Sequence, residues 1–392
     1  MRGTVLVVAA TLASATMAAP AEPPSEPRRF ALGVELSAAA GPEDRGFFNY
    51  TSYEESTQRL ARLSVTAEWR VTERAALLAE VREENLDHPH VYALYARLRP
   101  WRERSFDVQA GLVPPVFGAF ARRRYGSDNP LIGYPLAYQY LTSLRNDAVP
   151  GTEADLIVMR GGGWLVRYPF GWGNPEPAPG LPLVNALSWD AGVQVRLGSG
   201  PVEATAAVTQ GTLSSPKVRD DNSGKQLSAR VAWKPVVGLV VGASGARGEY
   251  LTRTAVDSLP DDRRGEFLQQ AMGLDVEYSR DRWILRSEAI WSRWQTPMLP
   301  QSLGALGLTA EGRCKIVPGL YAAARLDHLG FSRIDGPDGL VSWDASVWRV
   351  EAGVGYTPVR HVLAKLAYQH NWRDGGRVRE RALVTAQAVL WF

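Results

Sequence analysis

The chain has 392 residues, a formal net charge of +3 and a single cysteine, Cys314. One cysteine excludes an internal disulfide framework, and the dispersed basic residues do not form the patch that a nucleic-acid-binding protein needs. Although 45% of the residues are hydrophobic, no apolar run of 18 or more residues follows the N-terminal segment, so the sequence predicts no transmembrane helix.

The N-terminus is typical of an exported protein. Arg2 precedes a short apolar run from Val5 to Ala15, and small residues follow that run. This pattern predicts a secretory signal peptide over residues 1–21 and a short proline- and glutamate-rich tail over residues 22–28. The prolines argue against the alternative of a buried N-terminal helix.

From residue 29 onward, apolar residues recur with a period of two, which predicts β-strands. Between residues 61 and 69 every odd position is apolar, whereas Arg62 and Glu68 lie on the opposite face. Segment 154–170 could add two short strands around three glycines, so we expect 16 to 18 strands. In chain order, the sixteen clearer segments are 29–39, 57–70, 73–85, 90–100, 104–113, 183–198, 201–213, 225–235, 238–250, 266–280, 282–293, 303–316, 319–330, 345–358, 360–373 and 377–392.

Turn lengths separate two folds that share this alternation, a soluble β-sandwich and a membrane barrel. Short connections such as 71–72 alternate along the chain with long ones such as 40–56 and 114–153. Outer-membrane barrels have short periplasmic turns and longer external loops. The sequence therefore predicts an all-β fold class, a transmembrane antiparallel up-and-down β-barrel over residues 29–392.

Aromatic residues near the predicted strand ends agree with a membrane barrel. Amphipathic rings favour the headgroup level of a bilayer, and such barrels carry an aromatic girdle at each interface. The pattern predicts a periplasmic girdle that includes Trp69, and an external girdle. The predicted external members are Tyr92, Trp189, Trp291, Trp348 and Tyr368.

The last predicted strand ends in Phe392, with Leu390, Ala388 and Ala386 on the same apolar face. A terminal aromatic on such a strand resembles the C-terminal signature of bacterial outer-membrane β-barrels. With the signal peptide and the strand rhythm, the chain resembles barrels of the porin type. That resemblance implies residence in the bacterial outer membrane, contact with outer-membrane lipid and lipopolysaccharide, passage of small hydrophilic solutes and a homotrimer.

The inward faces of the predicted strands carry charges of both signs. An arginine or lysine that faces lipid at the bilayer midplane costs about 2–4 kcal/mol, so these groups are expected to line water or to form ion pairs that stabilise the wall. Barrels of 16–18 strands leave an aqueous channel. The lumen-wall candidates are Arg62, Glu68, Arg82, Asp190, Arg196, Arg230, Glu277, Arg286, Glu288, Arg325, Arg349 and Glu351.

The long connection 114–153 is aromatic and basic, and it is too apolar for a fully solvated loop. Its place resembles that of the third external loop of general porins, which folds inward and narrows the pore. Its arginines loosely resemble those of phosphate-selective porins, although the nearly balanced inner face departs from their basic arrays. The arginines would favour anions if they reach the channel, and the alternatives are lipopolysaccharide binding or exposure to solvent. The candidate constriction residues are Arg122, Arg123, Arg124, Tyr125 and Asp128.

The sequence offers little catalytic chemistry, and we expect no catalytic residue, metal site or cofactor. His88 and His90 do not have a zinc-binding spacing. A barrel hydrolase needs a serine–histidine pair near the interface, for which His328 is the nearest histidine, but it has no assignable partner. The favoured function is a porin. The alternatives are a non-conducting structural or partner-docking barrel and, less favoured, a membrane-embedded hydrolase.

Overall fold

The computed structural model describes residues 29–50, 55–101, 105–222, 224–337 and 339–392, so the predicted signal peptide and tail lie outside the described residues. In chain order, the elements are β1 (Phe30–Ala40), β2 (Ala61–Arg70), β3 (Ala75–Glu84), β4 (His90–Leu98), β5 (Ser105–Val113), α1 (Leu136–Gln139), β6 (Ala148–Val149), α2 (Glu153–Met159), β7 (Trp172–Gly173), β8 (Asp190–Ser199), β9 (Val202–Thr209), β10 (Gln226–Trp233), β11 (Leu239–Glu249), α3 (Arg253–Asp257), β12 (Leu268–Arg280), β13 (Trp283–Trp294), β14 (Leu303–Val317), β15 (Leu320–Phe331), β16 (Arg333–Gly336), β17 (Gly339–Ser342), β18 (Val347–Tyr356), β19 (Val362–Arg373) and β20 (Glu380–Trp391).

Sixteen of these strands form a closed barrel in which each strand is antiparallel to its neighbours in the chain order β1–β5, β8–β15 and β18–β20. Strand β20 closes the sheet on β1, where Leu36 pairs with Leu390. The Phe392 N–H donates to the Val34 carbonyl at 2.9 Å. Closure pairs the backbone groups that an open edge would leave unsatisfied in lipid. The predicted fold class is confirmed.

The barrel wall is apolar outside and polar inside, the reverse of a soluble protein. On β2, the outward-facing Trp69 is 50% exposed, whereas the inward-facing Arg62 is 4% exposed. This inversion follows from the period-two sequence pattern, because successive side chains of a strand point to opposite faces. Among the described residues no helix has the length and apolar character needed to cross a bilayer.

Segment 154–170 does not form the two additional strands that its sequence allowed. Thr152 caps α2, where its side chain accepts the Asp155 N–H and the Asp155 carboxylate accepts the Thr152 N–H at 2.9 Å. This reciprocal capping box favours a helix start, so the wall has sixteen strands. The connection between β5 and β8 consequently runs over 114–189, beyond the predicted 114–153.

Tyr92 is not a member of the external girdle, so that prediction was wrong. The register between β3 and β4 shifts between Glu80 and Val81, and bulges of this kind redirect side chains. As a result Tyr92 points into the barrel and is 3% exposed, while Val91 and Leu94 face outward. Trp348 and Tyr368 are exposed on the outer face, as the girdle pattern predicts.

The largest hydrophobic core lies inside the external half of the barrel. The long connection 114–189 contributes Phe117, Phe120 and Tyr138, which pack with side chains of other connections and strand ends such as Trp343 and Trp294. These side chains are almost completely buried. Because the connection carries its own apolar residues into the lumen, it is held there by burial of apolar surface as well as by hydrogen bonds.

Candidate functional site

The connection 114–189 enters the lumen and first contacts the wall at β11 and β13. The Gly118 N–H donates to Ser244 Oγ at 3.1 Å, and the Ala119 N–H donates to Glu288 Oε1 at 2.8 Å. Gly118 has a φ of +75°, and a Cβ at this position would lie 2.1 Å from the Tyr138 hydroxyl. Glycine is therefore required at this approach of backbone to wall.

The same segment then crosses to the opposite wall. The Tyr125 hydroxyl donates to Glu80 Oε2 at 2.6 Å, and the Gly126 N–H donates to Glu35 Oε1 at 2.8 Å. Lys365 Nζ donates to the carbonyls of Gly126 and Asn129, each at 2.6 Å. Residues 117–129 therefore span the barrel from β11 and β13 to β1, β3 and β19.

Two wall arginines and one glutamate fix the next part of the segment. Glu351 accepts the Gly133 N–H at 2.8 Å and is paired with Arg325 at 2.6 Å. Arg325 also donates to the Gly133 carbonyl at 2.7 Å. Arg349 donates to the carbonyls of Tyr134 and Phe48, at 2.9 and 2.7 Å. These charged groups are fully buried, so they hold the loop and are not in contact with bulk water.

The twelve lumen-wall candidates differ in how much water they meet. Those most enclosed by the loop are Arg62, Arg82, Arg325, Arg349 and Glu351, whereas Asp190, Arg230 and Glu288 are buried but less completely enclosed. The remaining four lie nearer the short turns and keep partly exposed side chains in ion pairs: Glu68 with Arg70 and Arg97, Arg196 with Glu203, and Arg286 with Glu277.

The five constriction candidates also differ in how much water they meet. The backbone of Arg122 lies in the 3-10 turn Phe120–Arg122, and its side chain is outside the described part of the structure. Arg123 pairs with Glu311 at 3.2 Å and keeps part of its side chain in water. Arg124 is buried. The arginine triplet is thus not a single surface.

The other two candidates have perturbed acidities. Burial, followed by the charge of Glu80, raises the pKa of Tyr125 to about 12. Partial enclosure, followed by the charge of Glu35, raises the pKa of Asp128 above its usual value. Asp128 nevertheless keeps an exposed side chain. Its negative charge is therefore lost at a higher pH than that of an ordinary aspartate.

The burial of inward-facing polar residues is uneven around the barrel. On the side formed by β18 and β19, Arg349, Glu351 and Asn371 are 0% exposed. On the side formed by β5 and β8–β12, eleven inward-facing polar residues keep 4–9% of their surface, although Gln269 keeps only 2%. These eleven less enclosed residues are Asp107, Gln109, Asp190, Gln194, Thr205, Thr209, Gln226, Ser228, Arg230, Ser244 and Asp275. On β19, Lys365 and Arg373 keep 4% and 7%. We call the inward face of β5 and β8–β12 the polar sector.

Two small cavities lie between the loop and the wall, one at the polar sector and one at β12–β14. One, of about 30 Å³, is bordered by Pro115 of the loop and by Asp190 and Ser228 of the polar sector. The other, of about 20 Å³, is bordered by Arg123 and Glu311. Each is large enough for a water molecule. The loop therefore packs less tightly against the polar sector than against β18 and β19.

A much larger cavity, of about 1010 Å³, opens beside the short β2–β3 turn. Short turns are periplasmic in barrels of this kind, so we call it the periplasmic vestibule. Its border includes Arg29, Arg70, Arg74, Arg97 and Arg99, with Glu73 as the acidic member. The sequence analysis above does not include this cavity, although the basic residues at the adjacent ends of the predicted strands indicate a basic region there.

The histidines do not form a metal site in the described structure, where no group of three or more His, Cys, Asp or Glu side chains is placed to hold a metal ion. His328 stacks on Trp348 with ring centroids 4.1 Å apart. Its Nδ1 lies 3.2 Å from the Val347 carbonyl. These contacts explain the residue as a member of the outer aromatic surface.

Comparison with known proteins gives similarity in fold but not in sequence. No protein-family model matches the chain, and no curated protein matches it. A structure of OmpT from Vibrio cholerae is similar with a TM-score of 0.55 and 11% identity, over 93% of this chain and 97% of that one. The outer-membrane channel DcaP of Acinetobacter baumannii gives a TM-score of 0.54 at 10% identity, over 93% and 97%.

An anion-selective porin from Comamonas acidovorans is similar to the same degree, with a TM-score of 0.53 and 10% identity over 93% of this chain and 99% of that one. Identities this low show a shared fold alone. The chain thus has the fold of porin-type barrels. With its apolar exterior, it is a bacterial outer-membrane barrel.

Proposed function

We propose that this outer-membrane barrel is a narrow diffusion channel for small hydrophilic solutes, and that solutes pass between the loop and the polar sector. The observation that carries the proposal is the uneven packing of the loop, which leaves Arg349, Glu351 and Asn371 of β18 and β19 with no exposed surface but leaves a small exposed fraction on polar residues of β5 and β8–β12. Sixteen strands are enough to enclose an aqueous channel.

The charges at the periplasmic end of the lumen and beside the loop give the channel an expected preference for anions. The periplasmic vestibule is bordered by five arginines, and a cleft lined by one sign of charge raises the local concentration of the opposite ion. Nearer the loop, Arg123 faces the second cavity together with Glu311. Opposed charges in a constriction orient water and polar solutes, so the selectivity is expected to be moderate.

We further propose that the protein has no catalytic activity. His328 is stacked on Trp348 and contacts a backbone carbonyl, an arrangement that provides no nucleophile for a hydrolase. Incubation of the purified barrel with phospholipid vesicles is expected to release no fatty acid. Release that is lost in a His328→Ala variant would support the hydrolase instead.

The proposed assembly is a homotrimer in contact with lipid and lipopolysaccharide. Its support in this chain is a shallow outer groove bordered by Val193, Leu227, Gly245 and Met272, on a surface that must meet lipid or another barrel. Chemical crosslinking of the protein in native outer membranes is expected to give a trimer. A species limited to one chain would contradict this assembly.

A non-conducting structural barrel is the second candidate, and one observation favours it. The loop core that contains Phe117, Phe120 and Trp343 is almost completely buried, and a permanent core of this kind could close the lumen. In that case the barrel would serve to dock partners or to stabilise the membrane.

Liposome swelling separates the two candidates. Proteoliposomes that contain the purified barrel are placed in isotonic solutions of small anions, amino acids and sugars of increasing size. The channel predicts swelling with small solutes and little with disaccharides, because the cavities beside the loop are narrow. A rate equal to that of protein-free liposomes for every solute would support the closed barrel.

A further inference from the structure

Arg124 lies in the interior of the barrel and has no counter-ion among the described residues. Its side chain is 1% exposed, and its Nε, Nη1 and Nη2 atoms have no hydrogen-bond acceptor among the described residues. Its guanidinium lies over the ring of Tyr92, 4.1 Å from the centroid. A ring face offers partial compensation, but an uncompensated buried charge is strongly destabilising.

Two wall arginines present unused donors beside Arg124. Arg82 donates through Nε to Glu80 at 2.7 Å, and both of its Nη atoms are buried without an acceptor. Its guanidinium lies over the same Tyr92 ring, 3.5 Å from the centroid. Arg62 donates to Glu84 at 2.6 Å, and its Nη2 atom has no acceptor.

Tyr134 connects Arg62 to the backbone of Arg124. Its hydroxyl accepts from Arg62 Nη1 at 2.8 Å and donates to the Arg124 carbonyl at 3.1 Å. On the wall, Ser64 pairs with Arg82 in the β2–β3 register, and the Ser64 hydroxyl is also buried without a partner among the described residues. Strands β2 and β3 and the loop therefore direct unused donors into one region.

The nearby acids do not balance this charge. Glu80 accepts from Arg82 and from the Tyr125 hydroxyl, and Glu84 accepts from Arg62. Among the described residues, these two carboxylates face three guanidinium groups, which leaves Arg124 as the surplus cation. Burial, followed by the charge of Arg82, lowers the pKa of Arg124. Buried polar groups in native proteins nearly always have a partner, so this region is chemically suited to an anion.

We propose that Arg62, Arg82 and Arg124 form a sealed binding site for one monoatomic halide, with chloride as the natural occupant. The cavity bordered by Arg62, Arg124 and Tyr134 measures about 10 Å³, and Arg82 does not border it. This volume is close to the minimum for one water molecule. A halide is larger than water, so its entry must move these side chains slightly apart, whereas a polyatomic oxyanion would displace the loop. The halide supplies the missing negative charge and accepts from the unused guanidinium donors.

The consequence is that the halide fastens the loop to β2 and β3. It is bound between the wall and residue 124, so its binding free energy adds to the stability of the docked loop. The site is sealed and lies apart from the polar sector, and it does not require that the barrel conduct. The halide site could therefore be correct even if the barrel does not conduct, and the channel could be correct even if no halide binds.

Crystals of the full-length mature barrel grown or soaked in sodium bromide provide a direct test. We expect an anomalous bromide peak within hydrogen-bonding distance of the guanidinium groups of Arg62, Arg82 and Arg124. The absence of such a peak, when surface bromide sites in the same crystal are occupied, would overturn the proposal.

A solution measurement gives an independent readout. The temperature at which the folded barrel is lost is measured in sodium chloride, bromide and gluconate at equal ionic strength. Both halides are expected to raise it, with saturation, relative to gluconate. Equal temperatures in the three salts would contradict a specific site.

Variants assign the effect to the site. Arg124→Met removes the surplus cation, so the halide-dependent part of the stability should disappear. Arg123→Met is the matched control, because Arg123 has its own partner in Glu311 and its loss should leave the halide dependence intact. A halide effect that persists in Arg124→Met would contradict the assignment. If that variant does not fold, the bromide crystal of the unaltered protein still decides the question.

Discussion

The guanidinium of Arg325 lies 2.6 Å from the carboxylate of Glu351, and neither side chain is exposed. The two residues are cross-strand partners on β15 and β18, and both also bind the backbone of Gly133. One ion pair therefore belongs to the barrel wall and to the attachment of the loop at the same time. Changes to this pair are expected to alter stability and permeability together.

Glu351→Ala should destabilise the barrel, because it leaves Arg325 buried beside fewer carboxylates and removes the acceptor of the Gly133 N–H. Removing one partner of a buried pair costs about 3–5 kcal/mol. The expected result is a lower temperature of conversion to the slowly migrating unfolded form on gels. Glu203→Ala is the control, since Glu203 is partly exposed in its ion pairs. Equal losses in the two variants would contradict the role of Glu351.

Arg123→Glu should reduce the preference for anions. Arg123 borders the cavity between loop and wall, and the substitution reverses its charge at that point. The measurement is the reversal potential in a potassium chloride gradient, with Arg253→Glu on the external connection as the control. A reversal potential that is the same in Arg123→Glu and in the unaltered barrel would show that Arg123 does not face the route of the ions.

The double variant Arg74→Glu and Arg99→Glu should weaken anion entry from the periplasmic side. Both residues border the vestibule and act on ions at a distance. The effect should therefore be large at 0.1 M salt, where the screening length is about 10 Å, and small at 1 M, where it is about 3 Å. Arg263→Glu, on an exposed external segment, is the control. An effect independent of salt would argue against steering by the vestibule.

Selectivity should respond to pH through Asp128. Its pKa is raised above the value of about 3.9 for an ordinary aspartate. Asp128 therefore takes up a proton, and loses its negative charge, at a higher pH. Anion preference should therefore increase as the pH falls through this raised value. In Asp128→Asn that step should be absent and the preference already high at neutral pH. A pH response that is unchanged in Asp128→Asn would assign the titration elsewhere.

The raised pKa of Asp128 also predicts how the stability of the folded protein depends on pH. A carboxyl whose pKa is higher in the folded state contributes stability that is present below the unfolded-state pKa and is lost as the pH rises through the folded-state value. Ionised Asp128 thus opposes docking of the loop at neutral pH. Asp128→Asn should be as stable as the unaltered protein at pH 7, or more stable. A clear loss of stability at that pH would contradict this sign.

The wall was predictable because its rule is local. Alternation of side chains across a strand and the difference between short and long turns indicated all sixteen strands and the outward apolar face. The buried Tyr92 was not predictable in this way, because the bulge between β3 and β4 depends on the pairing register and not on the composition of either strand.

The arrangement inside the lumen depends on contacts between distant parts of the chain. Nothing near Gly126 in the sequence indicates that its carbonyl would accept from Lys365, or that Arg123 and Arg124 would have opposite environments. The capping box of Thr152 and Asp155 is a local signal for a helix, and the helix forms. In the sequence, the apolar residues that follow it favoured a strand instead. The place of the loop in the sequence was enough to predict that it enters the lumen. Only the packing shows which of its residues are bonded to the wall and which lie beside the proposed path of solutes.

Single-channel conductance in planar bilayers tests the route along the polar sector most directly. Ser228 faces the cavity beside the loop, whereas Val231 on the same strand is exposed on the outer face and lies outside the outer groove. The unaltered barrel is expected to give small, stable conductance steps, which Ser228→Trp should reduce several-fold and Val231→Trp should leave unchanged. A folded barrel that never conducts, or equal conductance in Ser228→Trp and Val231→Trp, would contradict the proposed channel.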